Sequence, residues 1–231
     1  MPKNIFFKMN SIIKFLFIIL LAYFFQNCAP SRFVKPLAKK QQAASFSFGG
    51  PIIKFAGAPI PIPFTTLAYG YGLTDKITGF GSLHTTSLLF GNLQSDIGAT
   101  IKLFEKENKF GISASPAIQV AYNVRNQTGF RIWPSADINT YFHFKAKPSY
   151  LYAGVNSWFE FSKYKAHEQK QERHAIPNLH VGYTIVKQKW HHQFELSYLG
   201  IGIPNRPGVA EYIGISDKGA LGFYYSLIRK F

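Results

Sequence analysis

"FRIWPSADINTYFHF", residues 130–144, decides how the chain folds. Its even positions are Phe130, Ile132, Pro134, Ala136, Ile138, Thr140, Phe142 and Phe144, and its odd positions are Arg131, Trp133, Ser135, Asp137, Asn139, Tyr141 and His143. Successive side chains of a strand point to opposite faces, so a period of two gives one apolar and one polar surface. A helix would need a period near 3.6, and none is present. The pattern spreads outward. "LQSDIGATIKLF" at 93–104 sets Leu93, Ile97, Ala99, Ile101 and Leu103 against Gln94, Asp96, Thr100 and Lys102. Similar runs fall at 110–124, 151–161, 179–187, 190–200 and 219–231, with weaker ones, rich in Gly and Pro, at 45–55 and 64–73. With one more run between 77 and 86, the sequence predicts about ten strands, within a range of eight to twelve.

Short charged clusters separate some runs: "TDK" at 74–76, "EKEN" at 105–108, "KAKP" at 145–148 and "KQK" at 187–189. Longer links alternate with them, including 125–129, 164–176 and 201–219. Short and long connections on opposite ends are the mark of an up-and-down antiparallel meander closed into a barrel. Which face points outward follows from the polar set. Gly, Ala, Ser, Asn and Gln dominate it, with isolated charges, whereas a water-exposed surface carries far more Lys and Glu. Aromatic residues mark the ends of the apolar faces, among them Phe110, Tyr122, Phe130, Phe142, Phe144 and Phe223. Both features predict an all-β transmembrane barrel with its apolar face toward lipid. About 9–11 tilted residues cross the hydrocarbon, and these runs are long enough.

The remaining composition agrees. Aromatics make up 17% of the 231 residues and charged residues 16%, against about 25% in soluble domains. One cysteine excludes an intrachain disulfide framework and a Cys-based zinc cage. The chain starts with Lys3, Lys8 and Lys14, followed by an apolar run from Phe15 to Phe25. Such a run is too short to span a bilayer, which takes about 20 residues, and suits the apolar part of an export signal. The sequence therefore divides into a signal at 1–27, a basic tether without periodicity at 28–44 and a barrel domain at 45–231. Losing the three signal lysines leaves the mature chain three charges below the formal +15. That excess fits membrane phosphates, including those of lipopolysaccharide; an exported chain does not meet nucleic acid. Solvated loop lysines would give the same count.

The chain ends "GFYYSLIRKF", with Phe223, Tyr225, Leu227 and Phe231 on one face. Here it resembles the bacterial outer-membrane β-barrel family, whose members finish on an aromatic residue after an alternating strand. The resemblance covers residues 45–231 and implies that Tyr225, Leu227 and Phe231 form the signal read by the barrel-assembly machinery. Arg229 interrupts that face, and its stem is long enough to snorkel to a headgroup. The resemblance also implies a Gram-negative outer membrane, with the short turns and the N-terminus in the periplasm. "FFQNCAPS" at 24–31 resembles a lipoprotein signal, with Asn27 standing where a small residue is usual. Cys28 is then the expected lipid-attachment residue, at the inner leaflet.

Strand parity gathers Asp96, Lys102, Arg131, Asp137, His143, Glu160 and Glu195 on the lumen face. In a narrow barrel, charges of both signs pair and plug the interior. The favoured function is a non-enzymatic, structural or accessory envelope protein with an envelope protein complex as partner. A small pore for ions or small solutes is the second reading. The third is an enzyme acting on lipid or peptide, for which His84, Ser87 and His174 lie near the outer rim. No nucleophile-and-base spacing singles out a catalytic set. No Walker-type or dinucleotide glycine motif is present, so no cofactor is expected. His191 and His192 face opposite sides of a strand, so no metal site is expected either.

Overall fold

The computed structural model describes residues 30, 32–107, 109–125, 128–144, 148–163, 170–171, 173–205 and 211–231. In chain order the strands are β1 (Gln42–Phe55), β2 (Ala58–Pro61), β3 (Phe64–Thr74), β4 (Ile77–His84), β5 (Asn92–Lys106), β6 (Phe110–Asn123), β7 (Thr128–His143), β8 (Tyr150–Phe159), β9 (Ala175–Lys187), β10 (Trp190–Pro204) and β11 (Lys218–Lys230). A one-turn helix, α1 (Thr85–Leu89), joins β4 to β5. From β3 to β11 each strand pairs antiparallel with the next, and β3 pairs with β1. The seam between β1 and β11, from Ala43↔Lys230 to Pro51↔Gly222, closes a barrel of 10 strands. The extra strand β2 folds back on the end of β1, pairing Ile52↔Pro61 through Phe55↔Ala58.

The up-and-down, closed, all-β architecture expected from the alternation is therefore present. The first strand begins at Gln42, slightly before the expected boundary, and β9 begins at Ala175. Neither β2 nor α1 was foreseen, since both are too short to show a period. The β3–β4, β5–β6 and β9–β10 connections share one end of the barrel with Gln42 and Phe231, where Phe231 N donates to Gln42 O at 2.9 Å. This is the turn end; the longer connections lie at the loop end.

The two faces are inverted relative to a soluble protein. Buried inward residues include Ser47, Thr66, Thr78, Thr100, Ser113, Asn139, Thr184 and Gln193. Outward residues include Leu67 at 50% exposure, Ile97 at 68%, Ile138 at 48% and Leu196 at 56%. An apolar wall of this kind is stable only against hydrocarbon.

The lumen is not empty. Residues 32–41 run inside it along the barrel wall before turning into β1. The absence of a period in 28–44 predicts a tether beyond the barrel, but three side chains of this stretch are buried: Phe33, Val34 and Leu37. Phe33 and Leu37 pack with Ala43, Phe80 and Ile228, while Val34 packs with Tyr141, Tyr150 and Tyr152. Both apolar clusters of the interior are thus built around the N-terminal segment. The physical reason is mutual need: the lumen offers ring and methyl surfaces, and these three residues would otherwise stand in water.

Candidate functional site

The segment enters by filling notches in the wall. A methyl group at Gly70 on β3 would come within 2.4 Å of the Phe33 ring, and one at Gly72 within 1.9 Å of the Ala38 carbonyl oxygen. Glycine is needed at both positions because the segment lies directly against the strand backbone. The turn into β1 is held by Lys40 N to Gly72 O at 2.7 Å and Gly72 N to Gln41 O at 2.9 Å. Lys40 has a φ of 65°, a reversal at the foot of the segment.

Above that turn the hydrogen bonds of residues 32–37 run through side chains. Arg32 is the upper latch. Its Nη2 donates to Glu195 Oε2 at 2.8 Å, and its Nε lies 2.8 Å from Asp137 Oδ2 as an ion pair. One guanidinium so bridges β7 and β10 across the lumen. Both carboxylates are buried and both are further satisfied. Tyr152 Oη donates to Glu195 Oε2 at 2.9 Å, Ser197 Oγ donates to Glu195 Oε1 at 3.0 Å, and Asn139 Nδ2 donates to Asp137 Oδ1. Since Asn139 uses its nitrogen there, its oxygen accepts from His180 Nε2 at 2.7 Å, which assigns the His180 proton to Nε2.

Lys35 is the lower latch. Its ammonium donates to Glu105 Oε1 at 2.9 Å and to His143 Nε2 at 2.9 Å, and sits 4.9 Å from the Tyr141 ring centre. A lysine has no acceptor, so His143 presents an unprotonated Nε2 to it. Lys102 donates to the other oxygen of Glu105 at 2.7 Å. Between the latches, Ser113 Oγ donates to Val34 O at 2.6 Å, and below the lower one Leu37 N donates to Thr78 Oγ1 at 2.7 Å. Pro30 O accepts from Ser47 Oγ at 3.1 Å.

Toward the loop end, Arg32 forms the floor of a cavity of about 100 Å³ whose walls include His84, Asp96, Asn156, Trp158 and Asn178. His84 Nε2 and Ser82 Oγ each lie 2.9 Å from Asp96 Oδ2, and His84 Nδ1 lies 3.2 Å from Thr66 Oγ1.

The lumen residues expected from parity divide accordingly. Asp137, His143 and Glu195 contact the N-terminal segment directly, as does Glu105, which parity did not select. Lys102 reaches the segment through Glu105. Asp96 belongs to the cavity wall. Glu160 lies just past β8 and accepts from Trp133 Nε1 at 2.7 Å, and Arg131 sits half-buried near the loop end of β7. Tyr225, Leu227 and Phe231 lie on the outward face. Cys28 lies outside the described residues. Of the rim candidates, His174 Nδ1 donates to Glu160 O at 2.7 Å, and Ser87 Oγ donates to Gln94 Oε1 at 2.8 Å.

Arg32 and Lys35 were missed because 28–44 shows no period. A signal existed nonetheless. Asp137 and Glu195 both fall on the lumen face and are both buried. Buried carboxylates need a cation, so one had to come from elsewhere in the chain.

The fold and the filled interior define an outer-membrane-type β-barrel occupied by its own N-terminal segment. No family model matches the chain, and no curated protein matches it. Solved structures similar to it include the NanC porin, at 9% identity over 83% of this chain and 99% of that one, with a TM-score of 0.48. An outer-membrane channel from Pseudomonas putida F1 is similar at 10% identity over 89% and 100% of the two chains, with a TM-score of 0.48. The outer-membrane protease OmpT from Escherichia coli is similar at 9% identity over 86% and 100%, with a TM-score of 0.40. These likenesses concern the fold alone.

Proposed function

We propose that the protein is a Gram-negative outer-membrane β-barrel sealed by its own N-terminal segment, with a structural or accessory role in the envelope. The observation that carries this reading is the Arg32 bridge to Asp137 and Glu195, backed by burial of Phe33, Val34 and Leu37. On this reading the turn end faces the periplasm, and the C-terminal face of Tyr225, Leu227 and Phe231 serves assembly. The experiment is single-channel recording in planar bilayers, alongside an unboiled-versus-boiled gel shift on protein extracted from outer membranes. A heat-dependent shift with no steady conductance is the expected result. A permanently conducting full chain would overturn the seal, and a water-soluble chain without a shift would overturn the membrane barrel.

A second reading, a small gated pore, is favoured by how the segment is held. Residues 32–37 are fixed by side chains and not by strand pairing, so the segment can leave without breaking a ladder. Lipid attachment at Cys28 would be coupled to that step. Pro30 O accepts from Ser47 Oγ inside the closed wall. On this second reading, lipid attachment accompanies withdrawal of the segment. Lipid-modified protein, identified by intact mass, should conduct where unmodified protein does not.

A further inference from the structure

On the outer wall near the turn end, an apolar groove of about 660 Å³ crosses the β1–β11 seam, walled by Phe46, Leu67, Tyr69, Leu83 and Leu227. Its depth comes from small residues: Ala44 on β1 and Gly81 on β4 face outward among these large neighbours. At the rim stands Arg229. The register sets Ala44, Arg229, Trp190 and Lys187 side by side on four successive strands, all pointing outward. The Arg229 guanidinium lies 5.3 Å from the Trp190 ring centre and 5.0 Å from that of Phe231. Among the described residues, none of the ion pairs involves Arg229. Lys187 and Lys189 are exposed in the adjoining turn.

We propose that this groove and rim form a binding site for one anionic phospholipid, resting on the membrane-barrel reading above. The acyl chain lies in the groove between Phe46 and Leu227. The phosphate sits on Arg229, whose planar fork, fixed between two rings, matches two phosphate oxygens. An arginine one residue from the end of the last strand is at the interface, where a lipid-facing charge costs little, about 0–1 kcal/mol. Trp190 and Phe231 set the depth of the glycerol region, as rings do at membrane interfaces. Three exposed cations, Arg229, Lys187 and Lys189, select a headgroup with net negative charge over a zwitterionic one.

The test is native mass spectrometry of the full chain released from nanodiscs containing equal phosphatidylglycerol and phosphatidylethanolamine. One phosphatidylglycerol should be retained per barrel, and Arg229→Gln should lower its retention about tenfold, the worth of one charge-assisted contact. Ala44→Trp, which fills the groove opposite Arg229, should abolish retention of either lipid. Lys76→Gln, on the same rim but outside the groove, should change nothing. The gel shift checks that each variant is folded, and Ala44→Trp answers if Arg229→Gln is not. Unchanged retention in Arg229→Gln, or equal retention of the two lipids, overturns the proposal while leaving the barrel intact. A chain that never enters nanodiscs overturns the membrane reading instead.

Discussion

Arg32 and Asp137 lie 105 positions apart in sequence, yet the arginine Nε is 2.8 Å from the carboxylate Oδ2 in the middle of the lumen. The same guanidinium holds Glu195, three strands further round the wall. Two like charges projecting into a ten-stranded interior repel each other and lack full hydration. A cation between them turns that liability into a cross-brace. The brace belongs to the N-terminal segment, so closing the lumen and stabilising the barrel are one event.

Removing the brace should therefore do two things. Arg32→Ala leaves Asp137 and Glu195 facing each other with no cation, which costs about 3 kcal/mol for a buried pair broken on one side. The urea midpoint of the unboiled band in lipid vesicles should fall accordingly, and brief conductance steps should appear in planar bilayers. Arg32→Lys keeps the charge but cannot reach both carboxylates in a fork, so it should fall between. An Arg32→Ala barrel as stable and as silent as the parent would show that Phe33, Val34 and Leu37 hold the segment unaided.

The notches give an independent route to the same state. Gly70 faces Phe33 at a distance no methyl group can share, so Gly70→Ala should push the ring, and the segment with it, off the wall. Overpacking of this kind costs about 1–3 kcal/mol. Residues 32–41 should become cleavable by a protease added to folded barrels, with the gel shift of the barrel kept. Continued protection would mean that Phe33 adapts in place.

Much of this was legible in advance. The outward Ile132, Ile138 and Phe142 and the inward Trp133, Asp137 and Tyr141 follow from a period of two, because a strand allows nothing else. The seam could be inferred from the even strand count, and the turn ends from their charged clusters. The segment could not be read the same way. Phe33, Val34, Arg32 and Lys35 obey no period because the segment is neither strand nor helix, and its order comes from partners far away in sequence. The His84–Asp96 contact was hidden for a related reason: it joins neighbouring strands across a connection, so only the register reveals it.

Lipid exposure of the outer wall predicts a depth-dependent penalty. Ile97, on β5, is the most exposed of the strand isoleucines. Ile97→Arg should cost about 2–4 kcal/mol when the barrel sits in a bilayer, as charged residues do on the lipid face. The urea midpoint in vesicles reads this directly. A soluble barrel would tolerate the change, since Ile97 would then already face water.

The wall of the upper cavity predicts how the enzymatic alternative fails. His84 Nε2 faces Asp96 Oδ2 and its Nδ1 faces Thr66 Oγ1, so hydroxyl, imidazole and carboxylate stand in line. That order resembles a nucleophile with its base, but Thr66 is fully buried and presents no surface to a substrate. The line is better understood as hydrogen-bond satisfaction inside the wall. Asp96→Ala removes the acceptor used by both Ser82 and His84 and should lower stability by about 1–3 kcal/mol. Thr66→Val, which keeps the shape and removes the hydroxyl, should cost less and should leave no hydrolytic activity to lose. An esterase or lipase signal in the parent that vanishes in Thr66→Val at unchanged stability would reverse this conclusion and make the cavity an active site.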